Sequence, residues 1–219
     1  MTILCIETST NCCSAAIAIN GEAKAIRANL TGANHASELP LFVEELMNEA
    51  RANSWTINAV ALSQGPGSYT GLRIGASLAK GLCYGLNIPL IPVDTLQILC
   101  VAALAQQLPQ RAVLCPMLDA RRMEVYTSLY TCECARMREI EAKIIDEHAF
   151  EAELTEQTIC FFGNGAVNIF LIDVPNYECC CTLLKRHCAH NTSYTRRSAG
   201  YKHSFVIKLS HNTLFSHSQ

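Results

Sequence analysis

The chain has 219 residues, of which 50% are hydrophobic, 16% charged and 7% aromatic. This balance excludes an intrinsically disordered chain and is sufficient for one large domain or two small ones around buried cores. The formal net charge of −2 excludes a strong overall electrostatic attraction to nucleic acid or to an anionic membrane.

The charge is distributed unevenly along the chain. Residues 1–175 carry 18 acidic and 11 basic side chains, whereas residues 176–219 carry one acidic side chain, six basic ones and five of the seven histidines. No stretch is long and apolar enough for a membrane span, and the N-terminal residues lack the pattern of a signal peptide. We therefore expect a cytoplasmic protein without membrane contact, in which most of the 13 cysteines are reduced core thiols.

The first half of the chain predicts three strands followed by alternating helices and strands. The pair Asn20-Gly21 is typical of a type I′ turn and joins the second strand to the third, so the chain opens with an antiparallel meander. The predicted elements are strands at 2–7, 13–19 and 22–28, a helix at 35–52, a strand at 57–63, a helix at 69–86, a strand at 88–93 and a helix from 95 to about 107.

The second half also predicts a mixed α/β structure. Pro109 breaks the helical pattern and marks the expected domain boundary. The elements predicted beyond it are strands at 112–118, 123–130 and 142–146, a helix at 147–154 and a strand at 158–162. We therefore predict an N-terminal α/β domain at 1–108, a C-terminal α/β domain at 109–175 and an atypical tail at 176–219 that is basic and rich in cysteine and histidine.

A glycine-rich segment separates the predicted strand 57–63 from the helix at 69–86. Its backbone N–H groups and the helix dipole could hold an anion, and the candidate contacts are Gly65, Gly67, Ser68 and Thr70. The segment lacks the Gly-Lys-Ser/Thr of a phosphate-binding loop, and Thr70 stands where the dinucleotide motif needs its third glycine. The alternative is a tight turn, capped by Ser68, that lets the helix approach closely.

The helix at 69–86 carries small residues at intervals of four: Gly71, Gly75, Ala79 and Cys83, with Gly81 and Gly85 in a second row. Glycine inside a helix lowers stability by about 1 kcal/mol relative to alanine, so repeated glycines indicate a packing requirement. This row could pack against the first helix of the same chain or against a helix of another subunit.

The sequence offers little support for a metal site or a nucleophile. Before residue 176 the only histidines are His35 and His148, and neither belongs to a metal-binding spacing. Ser68 lies outside a Gly-x-Ser-x-Gly motif. In the tail, adjacent cysteines are not standard zinc spacing, although a tetrahedral ligand set could be drawn from Cys179, Cys180, Cys181, His187, Cys188 and His190.

Charged residues cluster in the segment Asp119-Ala120-Arg121-Arg122 with Glu124, between two predicted strands. Two interpretations remain open for this segment. It is either a solvated hairpin with local ion pairs, which on an exposed surface contribute little, or a binding site.

Five segments together resemble the bacterial TsaB (YeaZ) family. They are Ile6-Glu7-Thr8-Ser9, His35-Ala36-Ser37-Glu38-Leu39-Pro40, the stretch from Gly65 to Gly75 with Ala79-Lys80-Gly81-Leu82, the stretch from Asp119 to Tyr126, and Gly163-Asn164-Gly165-Ala166. The resemblance covers residues 1 to about 167. It implies an actin-like ATPase fold, that is, an ASKHA or ribonuclease H-like fold, made of two α/β halves.

The resemblance also implies a function and its partners. TsaB proteins are regarded as noncatalytic scaffolds in making threonylcarbamoyladenosine next to the tRNA anticodon. They bind the catalytic paralogue TsaD, are joined by the ATPase TsaE, and form a homodimer when alone. The tRNA is contacted through the complex, and ATP or ADP is used by the complex and not bound tightly by this subunit.

In this family the first two helices form the interface with TsaD or with a second TsaB. Carried over to this sequence, the resemblance implies that the interface consists of Leu39, Phe42, Val43, Leu46, Tyr69, Leu72, Arg73, Gly75 and Ala79.

Two departures bear on the catalytic alternatives, which are a nucleotide-dependent phosphotransferase and a metal-dependent (glyco)peptidase of the same fold. In the catalytic relative two histidines on the first helix hold a metal, whereas this sequence has His35 and, four residues later, Leu39. Glu7 stands where nucleotide-using members commonly carry aspartate. We therefore expect no catalytic residue and no metal site in this chain.

The chain departs from the family again after about residue 174. The helical Pro-x-Ala segment and the closing Tyr-x-Glu-Pro-x-Tyr-Leu stretch are not visible there, so we expect a second half shortened or altered at its C-terminus. A third function, direct tRNA binding, would use the basic residues of the tail in a salt-dependent manner.

Overall fold

The protein is described as a computed structural model. It covers residues 1–30, 34–105, 112–146, 148–156, 158–171, 178–179 and 205–209. The chain divides into two compact units, residues 1–95 and 96–219. Within the described residues, no helix combines the length and apolarity that a membrane crossing requires.

The first unit is built on a five-stranded sheet covered by two long helices. Its elements are β1 (Thr2–Glu7), β2 (Cys13–Ile19), β3 (Glu22–Asn29), α1 (His35–Ala52), β4 (Ala59–Gly65), α2 (Tyr69–Leu86) and β5 (Leu90–Asp94). The strand order is β3-β2-β1-β4-β5. The first three strands pair antiparallel, while β4 pairs parallel with both β1 and β5.

The turn between β2 and β3 confirms the predicted hairpin. Asn20 and Gly21 have φ angles of 51° and 87°, and positive φ at both central residues is what a type I′ turn requires. The meander at the start of the chain is therefore confirmed, and the first parallel connection comes only with β4.

The core of the first unit lies between one face of the sheet and the inner faces of α1 and α2. Alternate residues of β1 and β2, such as Leu4 and Ile17, are buried against one stripe of α1 that includes Leu46. This stripe is the buried face of α1, which corrects the expectation that Leu39, Val43 and Leu46 lie at a partner interface. Pro40 is the sixth residue of α1 and lies inside the helix, past its first turn. Without a backbone N–H, it cannot donate the hydrogen bond that the helix would place there.

The domain boundary lies earlier than Pro109. The helix α3 (Thr95–Leu104) buries Leu96, Cys100 and Ala103 in a cluster with Leu114 and Phe162 of the second unit. The predicted assignment of this helix to a domain spanning residues 1–108 is therefore corrected. The proline marks the end of a helix, but the packing of that helix decides the unit to which it belongs.

The second unit contains the remaining elements. They are β6 (Val113–Arg121), β7 (Glu124–Thr127), β8 (Glu141–Ile144), α4 (Glu151–Glu156), β9 (Ile159–Gly163), α5 (Val167–Leu171), β10 (Glu178–Cys179) and β11 (Phe205–Leu209). The strand order is β10-β11-β9-β6-β7-β8, with β6 and β9 parallel. Two clusters of buried side chains form its core, one of them beneath α3.

Three predicted boundaries are corrected. The strand predicted at 57–63 corresponds to β4, which begins at Ala59 and ends at Gly65. The strand predicted at 123–130 is shorter than expected: it corresponds to β7, and Tyr130 forms a separate bridge with Leu114. The second domain does not end at residue 175, because β11 pairs antiparallel with β9. The rest of the predicted tail lies outside the described residues.

Candidate functional site

The glycine-rich segment joins β4 to α2 and confirms the predicted cap. The Ser68 hydroxyl oxygen accepts a hydrogen bond from the Gly71 amide at 3.3 Å, and the Ser68 carbonyl accepts one from Leu72 at 2.8 Å. The Gly65-Pro66 peptide bond before this cap is cis. The first turn of α2 is thus held by the segment itself.

The glycines in this segment face the turn that follows β1. A Cβ added at Gly67 would overlap the carbonyl oxygen of Ser9, and one at Gly71 would overlap the carbonyl oxygen of Thr8. A Cβ at Gly75 would overlap the Thr8 hydroxyl oxygen. The row of small residues is therefore required for contact within the chain, because only glycine leaves room for this backbone.

The same turn is held by Glu7 at the end of β1. One carboxylate oxygen of Glu7, Oε1, accepts hydrogen bonds from the Ser9 amide at 2.6 Å, the Ser9 hydroxyl at 2.5 Å and the Ser63 hydroxyl of β4 at 3.0 Å. Ser9 and Ser63 are both buried. This partly buried network links the end of β1 to β4 and to the turn that meets the glycine-rich segment.

The predicted anion or nucleotide contacts are distributed over three different environments. The Ser68 amide donates to the Ser9 carbonyl at 2.6 Å, and Gly67 lies against the same residue. A Cβ at Gly65 would contact Leu72, while Thr70 is exposed on α2. Two donor groups at the start of α2, the amides of Ser68 and Gly71, are therefore engaged by the chain's own atoms. These contacts support the close-approach alternative.

Five residues of the predicted partner interface lie in the core of the first unit. Leu39, Val43, Leu46, Gly75 and Ala79 are all buried, so their side chains are not available on an accessible surface. The prediction assigned them from the helices that carry them without separating the helix faces. Of the other four residues, Phe42 and Leu72 are partly buried and Tyr69 and Arg73 are exposed.

An open groove of about 540 Å³ runs along the outer sides of α1 and α2. Its lining residues are Ala36 and Pro40 of α1 with Tyr69, Thr70, Arg73, Ile74, Ser77 and Leu78 of α2. Tyr69 is 74% exposed, and the Arg73 guanidinium lies over its ring at 5.5 Å from the centroid. The groove thus combines apolar side chains with one aromatic–cation pair.

Further along α2, two glycines lie on the exposed surface. A Cβ at Gly81 or Gly85 would meet no atom within 4 Å, in contrast to Gly71 and Gly75. Tyr84 next to them is 92% exposed. The second row of small residues is therefore the exposed one.

No metal site emerges in the part of the chain that the structure describes. The ring nitrogen Nε2 of His35 lies 2.9 Å from the Thr10 carbonyl oxygen, and Leu39 is buried. No group of three or more histidine, cysteine, aspartate or glutamate side chains is placed for metal binding among the described residues. The possible tail ligands from Cys180 to His190 lie outside them, as does the side chain of Cys179.

The network around Glu7 was not predicted from the sequence. The sequence marks Glu7 as part of a family segment and as a replacement for aspartate, but its partners Ser9 and Ser63 are far apart in the chain. The only sequence signal was that both serines occur next to predicted strand ends. Which of them would meet the carboxylate depends on the parallel pairing of β1 with β4.

The two α/β units and their mixed sheets define a protein with the actin-like ATPase fold. The family model of "TsaD: tRNA N6-adenosine threonylcarbamoyltransferase" matches residues 24–201. The chain belongs to this family, and the relatives it resembles include its TsaB (YeaZ) members.

Two curated relatives carry the name "tRNA threonylcarbamoyladenosine biosynthesis protein TsaB". The Haemophilus influenzae protein is 34% identical over 62% of this chain and 56% of its own length. The Escherichia coli protein is 35% identical over 59% of this chain and 55% of its own length. The chain therefore spans about half the length of the curated relatives it matches.

Among solved structures, the chain resembles YeaZ from Pseudomonas aeruginosa with a TM-score of 0.58 and 29% identity, over 67% of this chain and 68% of that one. A second structure from that organism, described as similar to peptidase YeaZ, has a TM-score of 0.53 and 31% identity over 65% of this chain and 63% of that one.

Proposed function

We propose that this chain is a noncatalytic scaffold subunit in the synthesis of tRNA threonylcarbamoyladenosine. In this role it binds and activates a TsaD catalytic subunit, works with the ATPase TsaE, and contacts tRNA through the assembled complex in the cytoplasm. The names of its TsaB relatives support the pathway, and the surface of α1 and α2 supports the binding role.

The observation that carries the proposal is the open groove between α1 and α2. It exposes Tyr69 and half-buried apolar residues such as Ile74 and Leu78 along one side of a rigid helix pair. Aromatic and arginine side chains are typical anchors of protein interfaces. The exposed glycines Gly81 and Gly85 continue this surface and permit close approach of a second helix.

A surface of this kind can bind either TsaD or a second copy of this chain. Because the two proteins are paralogues, each can offer a similar pair of helices. We propose that the chain forms a homodimer through this groove when alone and exchanges that partner for TsaD when both are present.

The noncatalytic part of the proposal is supported by the geometry near the glycine-rich segment. The Ser68 amide and the hydroxyl that caps α2 are both engaged within the chain, and Glu7 Oε1 accepts three hydrogen bonds. We propose that the chain alone binds no nucleotide tightly. Calorimetry with ATP and Mg²⁺ tests this, and micromolar binding by the isolated chain would favour the phosphotransferase alternative.

The binding role is tested by mixing the chain with the TsaD protein of the same organism and following complex formation by light scattering. Gly75 is unsuitable as a site for a blocking substitution because it packs on Thr8. Ser77 is suitable, since it is exposed and lines the groove. We expect Ser77→Arg to weaken the complex at least tenfold by placing a long charged side chain in the groove.

The matched control is Ala102→Arg, which adds the same side chain at an exposed position on α3. We expect it to leave complex formation unchanged. Complex formation that survives Ser77→Arg, with both variants folded by circular dichroism, would contradict the placement of the interface. Absence of any complex with the unaltered chain would contradict the proposed function itself.

A further inference from the structure

The hairpin between β6 and β7 adopts a backbone that its residues do not favour. Arg121, Arg122 and Met123 have φ angles of 74°, 54° and 64°. Three consecutive residues other than glycine in the left-handed region are unusual, because a side chain disfavours that region. Such a conformation persists only where surrounding structure imposes it.

The β2–β3 hairpin of the same chain makes a similar turn with residues that favour it. At the β2–β3 hairpin the two residues with positive φ are Asn20 and Gly21, which are the residues that a two-residue turn prefers. At the β6–β7 hairpin, Arg121 pairs with Glu124, so Arg122 and Met123 occupy the corresponding positions. The backbone geometry of a two-residue turn does not explain why Arg122 and Met123 occupy these positions.

Packing explains Met123 but not the two arginines. Met123 is partly buried against the core of the second unit, and its carbonyl oxygen accepts a hydrogen bond from the Ile145 amide at 2.7 Å. Arg121 and Arg122 are exposed. The Arg121 backbone amide donates to Asp119 Oδ1 at 2.9 Å, which holds the turn without using the guanidinium.

The two arginines also differ from all other arginines of the described residues. The remaining five guanidinium groups each contact a partner: Arg27 contacts Glu45 and Glu49, Arg51 contacts Asn48, Arg73 contacts Tyr69, Arg136 contacts Glu139, and Arg138 contacts Glu153. The side chains of Arg121 and Arg122 make no hydrogen bond or ion pair within the described part of the chain. Among the described residues they therefore present two adjacent cations without a partner at the tip of the β6–β7 hairpin.

We propose that Arg121 and Arg122 form a docking site for an acidic segment of a protein partner. This site lies in the second unit and goes beyond the proposed function, which concerns the groove on α1 and α2. Guanidinium groups pair with carboxylates through two parallel hydrogen bonds, and a fixed turn limits the entropy that such pairing costs.

The charges around the arginines favour a protein over a nucleic acid. Asp119 and Glu124 flank them, so the tip alternates between acidic and basic groups. A protein surface can offer carboxylates to the arginines while placing basic groups near Asp119 and Glu124.

A fluorescein-labelled hexaglutamate peptide is the probe, used with the full chain at low ionic strength and measured by fluorescence anisotropy. We expect Arg121→Gln with Arg122→Gln to reduce its affinity at least tenfold. Arg51→Gln, which removes an exposed arginine from α1, is the matched control and is expected to leave binding unchanged. Peptide binding that is absent, or equally strong in the double variant, would overturn the proposal.

The second measurement repeats the anisotropy assay with a labelled six-nucleotide RNA in place of the peptide. Tighter binding of the RNA than of the peptide, lost in the double variant, would overturn the proposal in favour of a nucleic-acid site. We expect weaker RNA binding than peptide binding.

A third measurement separates docking from a structural role. Arg122→Asn introduces the residue that the chain itself uses at Asn20, and asparagine tolerates positive φ better than arginine. We expect this variant to weaken peptide binding while raising the thermal midpoint by a few degrees. A lowered midpoint would show that Arg122 supports the fold and would overturn the proposal.

Discussion

The amide of Ser68 donates a hydrogen bond to the carbonyl oxygen of Ser9 at 2.6 Å. This bond joins the glycine-rich segment before α2 to the turn after β1, two parts of the chain that are nearly 60 residues apart. Gly67 and Gly71 extend the contact by placing bare backbone against Ser9 and Thr8. The segment therefore determines how α2 packs on the sheet, and the outer face of α2 remains available to form the groove.

We predict that Gly71→Ala destabilises the first unit. The new Cβ would overlap the Thr8 carbonyl oxygen, which belongs to the backbone and can yield only if the turn moves. Overpacking of this kind typically costs about 1–3 kcal/mol. Urea unfolding followed by the fluorescence of Trp55, the single tryptophan of the chain, measures the effect because Trp55 packs on the core of the first unit.

The matched variant is Gly81→Ala in the same helix. It places its Cβ in open space and should raise the free energy of unfolding by about 0.5–1 kcal/mol, since alanine favours a helix over glycine. Equal effects of the two substitutions would contradict the assignment of one glycine row to the interior and the other to the surface.

A second prediction concerns the contribution of the N-terminal cap of α2 to stability. In Ser68→Ala the hydroxyl that accepts from the Gly71 amide is lost, and the first unit should lose about 1 kcal/mol of stability. The same urea titration measures the loss. Ser77→Ala, which removes an exposed hydroxyl from the middle of α2, should change stability by less than half as much, and a larger effect there would argue against capping as the cause.

The ion pair between Arg138 and Glu153 should make the stability of the second unit depend on pH. Burial by itself would raise the pKa of Glu153, but its backbone hydrogen bond and the Arg138 guanidinium at 2.7 Å lower that pKa overall, below the ordinary value of 4.5. The folded state therefore gains stability from ionised Glu153 above about pH 4.5, and this contribution is lost as the pH falls through the lowered value.

Glu153→Gln tests that dependence. We expect it to lower the free energy of unfolding at pH 7 by about 1 kcal/mol or less, because Arg138 is partly exposed to solvent. The difference from the unaltered chain should shrink as the pH falls below 4, as followed by circular dichroism in urea. Glu139→Gln removes a carboxylate that is 90% exposed and should have almost no effect. A difference that stays constant from pH 7 to pH 3 would contradict the lowered pKa.

Cys115 should resist thiol reagents in the folded protein. Burial raises its pKa to about 12, although its sulfur lies 3.2 Å from the Thr127 hydroxyl, which lowers it in part. Because the thiolate is the reactive form, we expect no labelling of Cys115 by iodoacetamide at pH 8 and rapid labelling in urea. Peptide mass spectrometry distinguishes it from the other cysteines. Labelling at similar rates in both conditions would show that this part of the core opens readily.

The sequence predicted the groove's helices and two of its lining residues, Tyr69 and Arg73, but not the others. Apolar spacing placed Leu39 and Leu46 on one face of α1, and both were then assigned to a partner interface although they fill the core. Conversely, Ala36, Pro40 and Ser77 line the groove but were not assigned to the interface. The same apolar pattern describes a helix face that meets its own sheet and one that meets another protein, so periodicity cannot separate them.

The sequence by itself determined the order of strands and helices from β1 to β9, the Asn20-Gly21 hairpin, the Ser68 cap and the family resemblance, because these depend on residues close together in the chain. Only the tertiary structure decided that Gly75 meets Thr8, that Glu7 meets Ser63, and that α3 packs in the second unit. Those contacts join residues distant in sequence, and each requires a particular strand pairing or helix rotation that local propensities do not specify.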